Sequence, residues 1–364
     1  FVDFLKKARQ KYWQVLPVGP TSYGDSPYQS FSAFAGNPYF IDLDTLAEEG
    51  LLTREEIDVC YWGDDVTQVA YDTVFWYRFP LLKKAHARSE FHEEEGYEKF
   101  CMESWYWLND YALYMALKFH FDNQEWLAWP EDIRFRKRDA VERYKEELKE
   151  EIDFWKFLQY KFFQQWKKLR AYANSQGISI IGDIPIYAAL DSADVWNHPE
   201  LFLLDEESLT PLKVAGVPPD AFSETGQLWG NPLYRWDVQE KTDFAWWKER
   251  MKASGRLYDV VRIDHFIGVV QYYAIPAGAE DGRTGEWLKG PGKKLTDAIG
   301  QVIGDTKIIA EDLGIFVPEV KALLEETGYP GMKIIEFAFS GDRFNEHLPH
   351  MYTPNSVVYG GTHD

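Results

Sequence analysis

The stretch Ile178-Ser179-Ile180-Ile181-Gly182-Asp183 begins the part of the chain whose pattern indicates the fold class. It is a short run rich in β-branched residues that ends on a carboxylate, and such a run is typical of a buried strand. Similar runs follow it, separated by segments with a helical pattern, at residues 259–263, 307–310, 332–337 and 356–359. Strands that alternate with helical segments predict a parallel sheet with crossover helices, which is an α/β fold.

The chain before residue 178 has a different pattern. The apolar run Trp13 to Val18 predicts one further strand. From about Asp44 to Gly177 the pattern is helical, and Thr53 with Glu56 has the spacing of a capping box. We therefore divide the chain into three parts: the start of the α/β domain at 1–43, a largely helical insertion at 44–177, and the rest of the α/β domain at 178–364.

Acidic residues outnumber basic ones: 59 Asp and Glu stand against 39 Lys and Arg, a formal net charge of −20 at pH 7. Because such a charge repels phosphate groups, we expect neither nucleic acid nor an anionic membrane as a partner. The sequence has no apolar stretch of about 18 residues that could span a membrane. Two cysteines, Cys60 and Cys101, are too few for a disulfide scaffold and indicate free thiols in a reducing cytoplasm. The sequence leaves the oligomeric state open.

Aromatic residues make up 17% of the chain, with 24 Phe, 22 Tyr and 15 Trp. Most of them are expected in the core, where aromatic rings bury much apolar area. The flat faces and polar edges of Trp and Tyr also suit the C–H faces and hydroxyl groups of sugars. The composition therefore favours a carbohydrate ligand without deciding the matter.

Carboxylates stand at the ends of four predicted strands: Asp183, Asp264, Glu311 and Asp364. In a parallel barrel the carboxyl ends of all strands lie at one rim, so these side chains would converge. For any one of them, the alternative is a residue that caps the following helix. Four such positions in succession make that alternative weak, and we interpret them as a functional cluster.

Converging carboxylates repel one another unless some are protonated or paired, so the cluster predicts tuned proton chemistry. Cleavage of a glycosidic bond needs such a pair, one protonated and one ionised. Arg262 lies two residues before Asp264 and therefore on the same face of the strand, where its guanidinium would lower the pKa of Asp264 and keep it ionised. A purely structural Arg–Asp pair is the alternative.

Longer strings point to a family. The order Arg262, Asp264, Glu311 and then His363-Asp364 resembles the α-amylase clan of retaining α-glycosidases. Within that clan the chain resembles the 4-alpha-glucanotransferases of glycoside hydrolase family 77, known as amylomaltases or disproportionating enzymes. The strings that carry this resemblance, which spans nearly the whole chain, are Leu16 to Ser30, Gly182 to Tyr187, Pro218 to Gln227 and Ala310 to Gly314.

The resemblance implies a (β/α)8 TIM barrel with helical insertions. Our pattern gives six strands, whereas such a barrel has eight. We therefore expect the first and last barrel strands to lie outside this chain, which would make it a fragment of a longer protein. The implied activity is transfer of α-1,4-glucan segments to the 4-hydroxyl of an acceptor glucan or glucose, by a retaining mechanism. Because carboxylates do the proton and nucleophile work, we expect no cofactor and no catalytic metal; a structural cation is the alternative, but no loop with ligand spacing supports it.

Roles for the strand-end residues follow from the same resemblance. It implies that Asp264 is the nucleophile, that Glu311 is the general acid and then the base, and that Asp364 stabilises the transition state. His363 and Arg262 would form hydrogen bonds to the donor sugar.

The resemblance also implies binding roles outside the strand ends. Tyr28 lies in a loop rich in Gly and Pro and would stack under the sugar at the cleaved bond; a core Tyr is the alternative. Asp183 would either bind substrate or brace its strand. Asp220 and Trp229, in or next to the matching strings, are further candidates for substrate binding.

The carboxylates alone do not separate transfer from hydrolysis, since both reactions share a covalent intermediate. The segment Gly216 to Pro232 is, taken by itself, a long surface loop, and the resemblance implies a lid that excludes water and so favours transfer. An α-glucan hydrolase on the same barrel and an inactive glucan-binding fragment are the alternatives.

Overall fold

A computed structural model of the chain describes residues 1–220, 223–314 and 317–362; for Tyr23 it describes the backbone only. These residues form two compact units. Unit 1 is assembled from residues 1–17, 172–190 and 199 onward, and unit 2 from residues 18–171 and 191–198. Both units join segments that are distant in the sequence, so both depend on long-range packing.

Unit 1 contains the strands, which form parallel and antiparallel sheets. The parallel sheets have the strand orders β1-β2-β5-β8 and β9-β10, and the antiparallel sheet has the order β4-β3-β6-β7. In chain order the strands are β1 (Tyr12–Gln14), β2 (Ser179–Pro185), β3 (Lys213–Val217), β4 (Gln227–Pro232), β5 (Val260–Asp264), β6 (Gln271–Pro276), β7 (Glu286–Lys289), β8 (Lys307–Ala310), β9 (Gly331–Ile334) and β10 (Ser356–Tyr359).

The two parallel sheets share an apolar core. Its buried residues come from β2, β5, β8 and β9 and are Ile181, Val260, Ile309, Met332 and Ile334. The sheets also adjoin at the backbone, where Ala310 donates its N–H to the carbonyl of Pro330 at 3.0 Å. Among the described residues, the strand pairing does not close into a barrel.

All six runs that the sequence predicts as strands overlap a parallel strand, which confirms the α/β class. Two of these strands are shorter than expected. β1 ends at Gln14. The N–H of Val15 makes the last ladder hydrogen bond, to the carbonyl of Ile181. The next N–H in the ladder would be that of residue 17, which is a proline and has none. β9 ends at Ile334, and residues Ile335–Ser340 continue as a 3-10 helix.

The antiparallel sheet is absent from the sequence prediction, and it corrects the interpretation of residues 216–232 as a loop. β3 ends at Val217 and pairs with β4, so this segment is largely a hairpin. A Cβ on Gly216 would lie 2.2 Å from the carbonyl oxygen of Gln227. Gly226 has a φ of +70°, which glycine adopts without strain. The glycines that suggest a flexible loop instead permit close strand pairing.

The helices in chain order are α1 (Val2–Lys7), α2 (Leu43–Glu48), α3 (Arg54–Asp58), α4 (Tyr71–Arg88), α5 (Glu95–Glu103), α6 (Leu108–His120), α7 (Glu131–Arg134), α8 (Arg138–Glu147), α9 (Lys149–Ser175), α10 (Ala193–Asn197), α11 (Trp236–Lys241), α12 (Ala245–Leu257), α13 (Ile267–Val270), α14 (Lys293–Gly300) and α15 (Pro318–Thr327). Short 3-10 helices also lie at Tyr23–Asp25, Pro38–Phe40, Phe91–Glu93, Trp126–Ala128, Pro199–Leu201, Gly282–Thr284 and Pro349–Met351. No helix in the described part of the chain combines the length and the apolar character that a membrane span requires.

Unit 2 is helical and has an aromatic core. The indole of Trp155 on α9 lies 5.8 Å from the ring of Phe79, 6.2 Å from that of Tyr111 and 5.3 Å from that of Phe119. The predicted capping box at the start of α3 is confirmed. These contacts account for part of the high aromatic content through core packing.

Unit 2 begins earlier than the predicted helical insertion, at residue 18 rather than 44. The loop after β1 is anchored within this unit: Gly36 donates its N–H to Gln159 Oε1 and Ala33 to Asp194 Oδ2, both at 2.8 Å. Gly36 also lies against the ring of Phe162, where a Cβ would come within 2.0 Å of a ring carbon. Sequence periodicity locates the helices, but it does not show which loop packs against them.

Candidate active site

An ion pair between two neighbouring strands forms the base of the site. Asp183 on β2 is the register partner of Arg262 on β5. Arg262 Nη1 donates to both carboxylate oxygens of Asp183, at 2.7 and 2.8 Å. Only 1% of Asp183 and 5% of Arg262 is exposed, and charges so deeply buried persist when they are paired in this way. These contacts favour bracing of the strand over substrate binding as the role of Asp183.

Arg262 also contacts Asp264, the last residue of β5. Its Nη1 lies 2.9 Å from Asp264 Oδ1, which is the pairing that the two-residue spacing predicts. The side chain of Asp264 is 29% exposed, in contrast to that of Asp183. Burial lowers the pKa of Arg262, but the charges of Asp183 and Asp264 raise it well above its usual value. One permanently charged guanidinium therefore joins a buried carboxylate and an accessible one.

Glu311 follows β8 directly and is 8% exposed. Its Oε2 accepts the N–H of His265 at 2.8 Å, and its Oε1 accepts the N–H of Leu313 at 2.7 Å. The backbone of Glu311 is fixed as well: its N–H donates to the carbonyl of Ile263 at 3.0 Å, and its carbonyl accepts the N–H of Phe266 at 2.9 Å. The chain segments that follow β5 and β8 thus position this carboxyl from two sides.

The environment of Glu311 changes its protonation. Burial, and after it the negative charge of Asp264, raise the pKa of Glu311 to about 7. Arg262 and the N–H groups of Leu313 and His265 lower the pKa but do not offset these two effects. Near neutral pH a large fraction of Glu311 is therefore protonated. A carboxyl in this state can donate a proton to a leaving group.

Comparison with known proteins identifies the family. The model of glycoside hydrolase family 77, described as 4-alpha-glucanotransferase, matches residues 1–364. The chain belongs to this family. Curated relatives named 4-alpha-glucanotransferase include that of Clostridium butyricum, 54% identical over 364 residues that make up 100% of this chain and 75% of the relative. The Thermus thermophilus relative is 49% identical over 370 residues, which cover 100% of this chain and 73% of the relative.

Solved structures agree with the family 77 assignment. An amylomaltase from Streptococcus agalactiae in complex with acarbose matches with a TM-score of 0.95 and 44% identity, covering 100% of this chain and 74% of that one. The amylomaltase from Corynebacterium glutamicum matches with a TM-score of 0.79 at 18% identity, covering 100% of this chain and 51% of that one, which shows a shared fold. The resemblance carried by the four sequence strings is therefore confirmed, and the chain has the α/β fold of family 77.

His265 is a residue of this family 77 site that the sequence analysis misses. It directly follows Asp264 and has a left-handed backbone, with φ of +52°. Its ring packs edge-on against the indole of Trp229, with centroids 4.8 Å apart and planes at 88°. Burial lowers the pKa of His265 to about 4, so the ring is neutral at neutral pH. The sequence signal for His265 is its adjacency to Asp264, because its contacts with Trp229 and Glu311 come from β4 and from the segment after β8.

The two candidates in the 216–232 hairpin are placed differently. Trp229 on β4 reaches the carboxylate cluster through its contact with His265. Asp220 lies in the turn between β3 and β4, where its Oδ1 accepts the N–H of Ser223 at 2.9 Å and its own N–H donates to the carbonyl of Ser223 at 3.0 Å. The structure therefore brings Trp229 to the carboxylate cluster and gives Asp220 a turn-forming contact.

Tyr28 belongs to unit 2, where it is half-buried and donates its N–H to Ser26 Oγ at 3.3 Å. Its stacking role stays a prediction. His363 and Asp364 lie outside the described residues, so their roles stay predictions too. Within the described ranges, no group of three or more His, Cys, Asp or Glu side chains is arranged to hold a metal ion.

Proposed function

We propose that this member of the 4-alpha-glucanotransferase family transfers segments of α-1,4-glucan to the 4-hydroxyl of an acceptor glucan or glucose by a retaining double displacement. The observation that carries the proposal is the contrast between two carboxyls. Asp264 is paired with Arg262, whereas Glu311 is buried with its pKa raised to about 7. A retaining glycosidase needs one ionised nucleophile and one protonated acid.

In the first displacement, Asp264 attacks the anomeric carbon of the donor glucan while Glu311 gives its proton to the glycosidic oxygen. A bond forms between the Asp264 carboxylate and the anomeric carbon, and the bond from that carbon to the leaving glucan breaks. Asp264 loses its negative charge when it becomes an ester. Because that charge helps to raise the pKa of Glu311, its loss favours the ionised form of Glu311.

In the second displacement, the ionised Glu311 takes the proton from the 4-hydroxyl of the acceptor. The acceptor oxygen attacks the anomeric carbon, and the ester bond to Asp264 breaks. Both carboxyls return to their starting states, so no cofactor is consumed. Two inversions at the same carbon give net retention of configuration.

Transfer requires that water does not react with the glucosyl ester first. The hairpin 216–232 carries Trp229, whose indole packs on His265 beside Asp264. We propose that this hairpin excludes water from the ester while an acceptor is bound, which favours transfer over hydrolysis.

A (β/α)8 barrel is the architecture that fits this site. Asp264 ends β5 and Glu311 directly follows β8, and in such barrels the active site lies at the carboxyl ends of the strands. The core shared by β2, β5, β8 and β9 and the TM-score of 0.95 to an amylomaltase support the same proposal.

The remaining parts of the proposal concern partners and location. Asp364 would stabilise the transition state, His363 would bind the donor sugar, and Tyr28 would stack against it. The free thiols of Cys60 and Cys101 are consistent with the reducing conditions of the cytoplasm, which we propose as the location.

Incubation with maltotriose tests the proposed function. Transfer produces glucose together with maltooligosaccharides longer than the substrate, which chromatography resolves. Glucose and maltose without longer products would show hydrolysis, and unchanged maltotriose would contradict catalysis by this chain.

A further inference from the structure

We propose that His265 is a positioning residue for Glu311, and that Trp229 of the hairpin holds His265 in the required conformation. The inference rests on the proposed function, because it concerns the protonation of the proposed acid. It connects the hairpin to Glu311 through two contacts: Trp229 packs on the ring of His265, and the backbone N–H of His265 donates to Glu311.

The backbone of His265 is unusual. Its φ of +52° lies in the left-handed region, which is uncommon for residues other than glycine; Asn, Asp and His enter it more often than other side chains, and β-branched residues avoid it. In this conformation the N–H of His265 donates to Glu311 Oε2 at 2.8 Å. The hydrogen bond that orients the acid therefore depends on a backbone state that the chain does not adopt by default.

Packing around the ring maintains this state. Trp229 lies edge-on at 4.8 Å on one side. Gly268 lies on another side of the ring. A Cβ at that position would be 3.3 Å from His265 Cδ2 and 2.9 Å from Ile186 Cδ1, so a larger residue would crowd the ring. Nε2 is buried without a hydrogen-bond partner among the described residues, so packing rather than a hydrogen bond from Nε2 retains the ring. Strain and an unsatisfied nitrogen at one residue beside a reactive group indicate a functional constraint.

The hydrogen bond from His265 has a defined effect on Glu311. An N–H that donates to a carboxylate favours its ionised form and lowers its pKa. It acts together with the N–H of Leu313 and with Arg262, and against burial and the charge of Asp264. Asp183 is bound to Arg262 and completes the set of charged groups that we identify around Glu311. Loss of the His265 hydrogen bond therefore raises the pKa of Glu311.

The test compares His265→Val with His265→Asn. Valine disfavours the left-handed conformation, whereas asparagine tolerates it and keeps the N–H in place. With maltotriose as donor, the alkaline limb of kcat/KM against pH reports the acid. We expect His265→Val to move this limb upward by about one pH unit and His265→Asn to leave it in place. Because His265 is neutral above pH 5, losing the ring does not itself change the charge near Glu311.

A second pair of variants tests the aromatic contact. Trp229→Ala should move the alkaline limb in the same direction as His265→Val, and Trp229→Phe should move it less. If His265→Val fails to fold by circular dichroism, Gly268→Ala replaces it, because the added methyl group presses on the His265 ring; it should also move the limb upward.

Some outcomes would overturn the inference. A folded His265→Val, or Gly268→Ala in its place, with the wild-type alkaline limb would do so, as would a uniform loss of kcat in every variant at unchanged pH dependence. Failure of the proposed function looks different: wild-type protein would not lengthen maltotriose, or Glu311→Gln would retain the alkaline limb.

Discussion

Each unit of the molecule contains a buried cation shared by carboxylates, and the two clusters differ in the protonation of a glutamate. In unit 2, Lys161 on α9 lies 3.1 Å from Glu49 and 2.8 Å from Glu94. In unit 1, Arg262 pairs with Asp183 and Asp264. Burial raises the pKa of Glu94, but hydrogen bonds from Lys161 and Tyr160 outweigh it and the pKa is lowered. The pKa of Glu311 is instead raised to about 7.

The surroundings of Glu94 and Glu311 explain why only Glu311 is suited to donate a proton. Glu94 is 34% exposed at the side chain and accepts charged and neutral side-chain donors directly. Glu311 is 8% exposed, its oxygens accept backbone N–H groups, and the nearby cation is already bound to two aspartates. In unit 2, Lys161 balances the charges of two carboxylates, Glu49 and Glu94. In unit 1, Arg262 lies near three, those of Asp183, Asp264 and Glu311. Glu311, the third carboxylate near Arg262, therefore gains a proton at a higher pH than an ordinary glutamate.

The sharpest test of this contrast removes the proposed nucleophile. Asp264→Asn keeps the shape of the side chain but cannot attack the anomeric carbon, so transfer should be lost while glucan binding largely persists. Product formation from maltotriose and binding by calorimetry measure the two effects. Turnover above a few per cent of wild type would contradict the assignment. Glu94→Gln, in the other cluster, should retain transfer.

The second test separates the acid from the nucleophile. Glu311→Gln should lower the rate with a maltooligosaccharide donor by about 10²–10⁴-fold, because the amide cannot protonate the leaving oxygen. With an α-glucosyl fluoride donor, release of fluoride in the first turnover should be nearly unaffected, since fluoride leaves without a proton. An equal loss with both donors would show that Glu311 is not the acid.

The third test compares the two cations. Arg262→Met removes the buried guanidinium that balances the charge of the deeply buried Asp183, and should reduce the free energy of unfolding by about 3–5 kcal/mol. Lys161→Met should cost less, because Glu94 and Glu49 are partly exposed and water can solvate them. Urea denaturation of both variants measures the difference. A larger loss for Lys161→Met would reverse the comparison.

The fourth test uses pH, with opposite signs for the two glutamates. The folded pKa of Glu311, about 7, lies above its ordinary value of 4.5, so wild-type stability falls as pH rises between them. Relative to wild type, the free energy of unfolding of Glu311→Gln should rise by about 2–3 kcal/mol from pH 4 to pH 8. This rise adds to a pH-independent loss, because the amide nitrogen cannot accept one of the two backbone N–H groups that Glu311 binds. The pKa of Glu94 is lowered, so its contribution is present above its unfolded value and lost as pH falls. Glu94→Gln should therefore destabilise at neutral pH and have little effect at low pH.

Denaturant unfolding at several pH values measures the fourth prediction. If the effects of Glu311→Gln and Glu94→Gln on the free energy of unfolding changed in the same direction with rising pH, burial and charge would not distinguish the two glutamates.

The sequence alone predicts more of the parallel sheets than of the hairpin. Six short β-branched runs are visible because buried parallel strands have a local signature, and each run overlaps a strand. The hairpin formed by β3 and β4 has no such signature, since the glycines and prolines of residues 216–232 are those of a loop. The pairing of β4 with β3 shows that Gly216 and Gly226 permit close strand contact and a positive φ, and are not signs of a flexible loop.

For the site, the residue types at the strand ends and the pairing of Arg262 with Asp264 can be predicted from the sequence, because a two-residue spacing on a strand is a local property. Three other features depend on the folded chain: Arg262 also binds Asp183, 79 residues away, Glu311 is buried, and His265 is held against Trp229. Strand register, burial and side-chain packing join residues that are distant in the chain. The charge state of Glu311, on which the proposed reaction depends, follows from those long-range contacts.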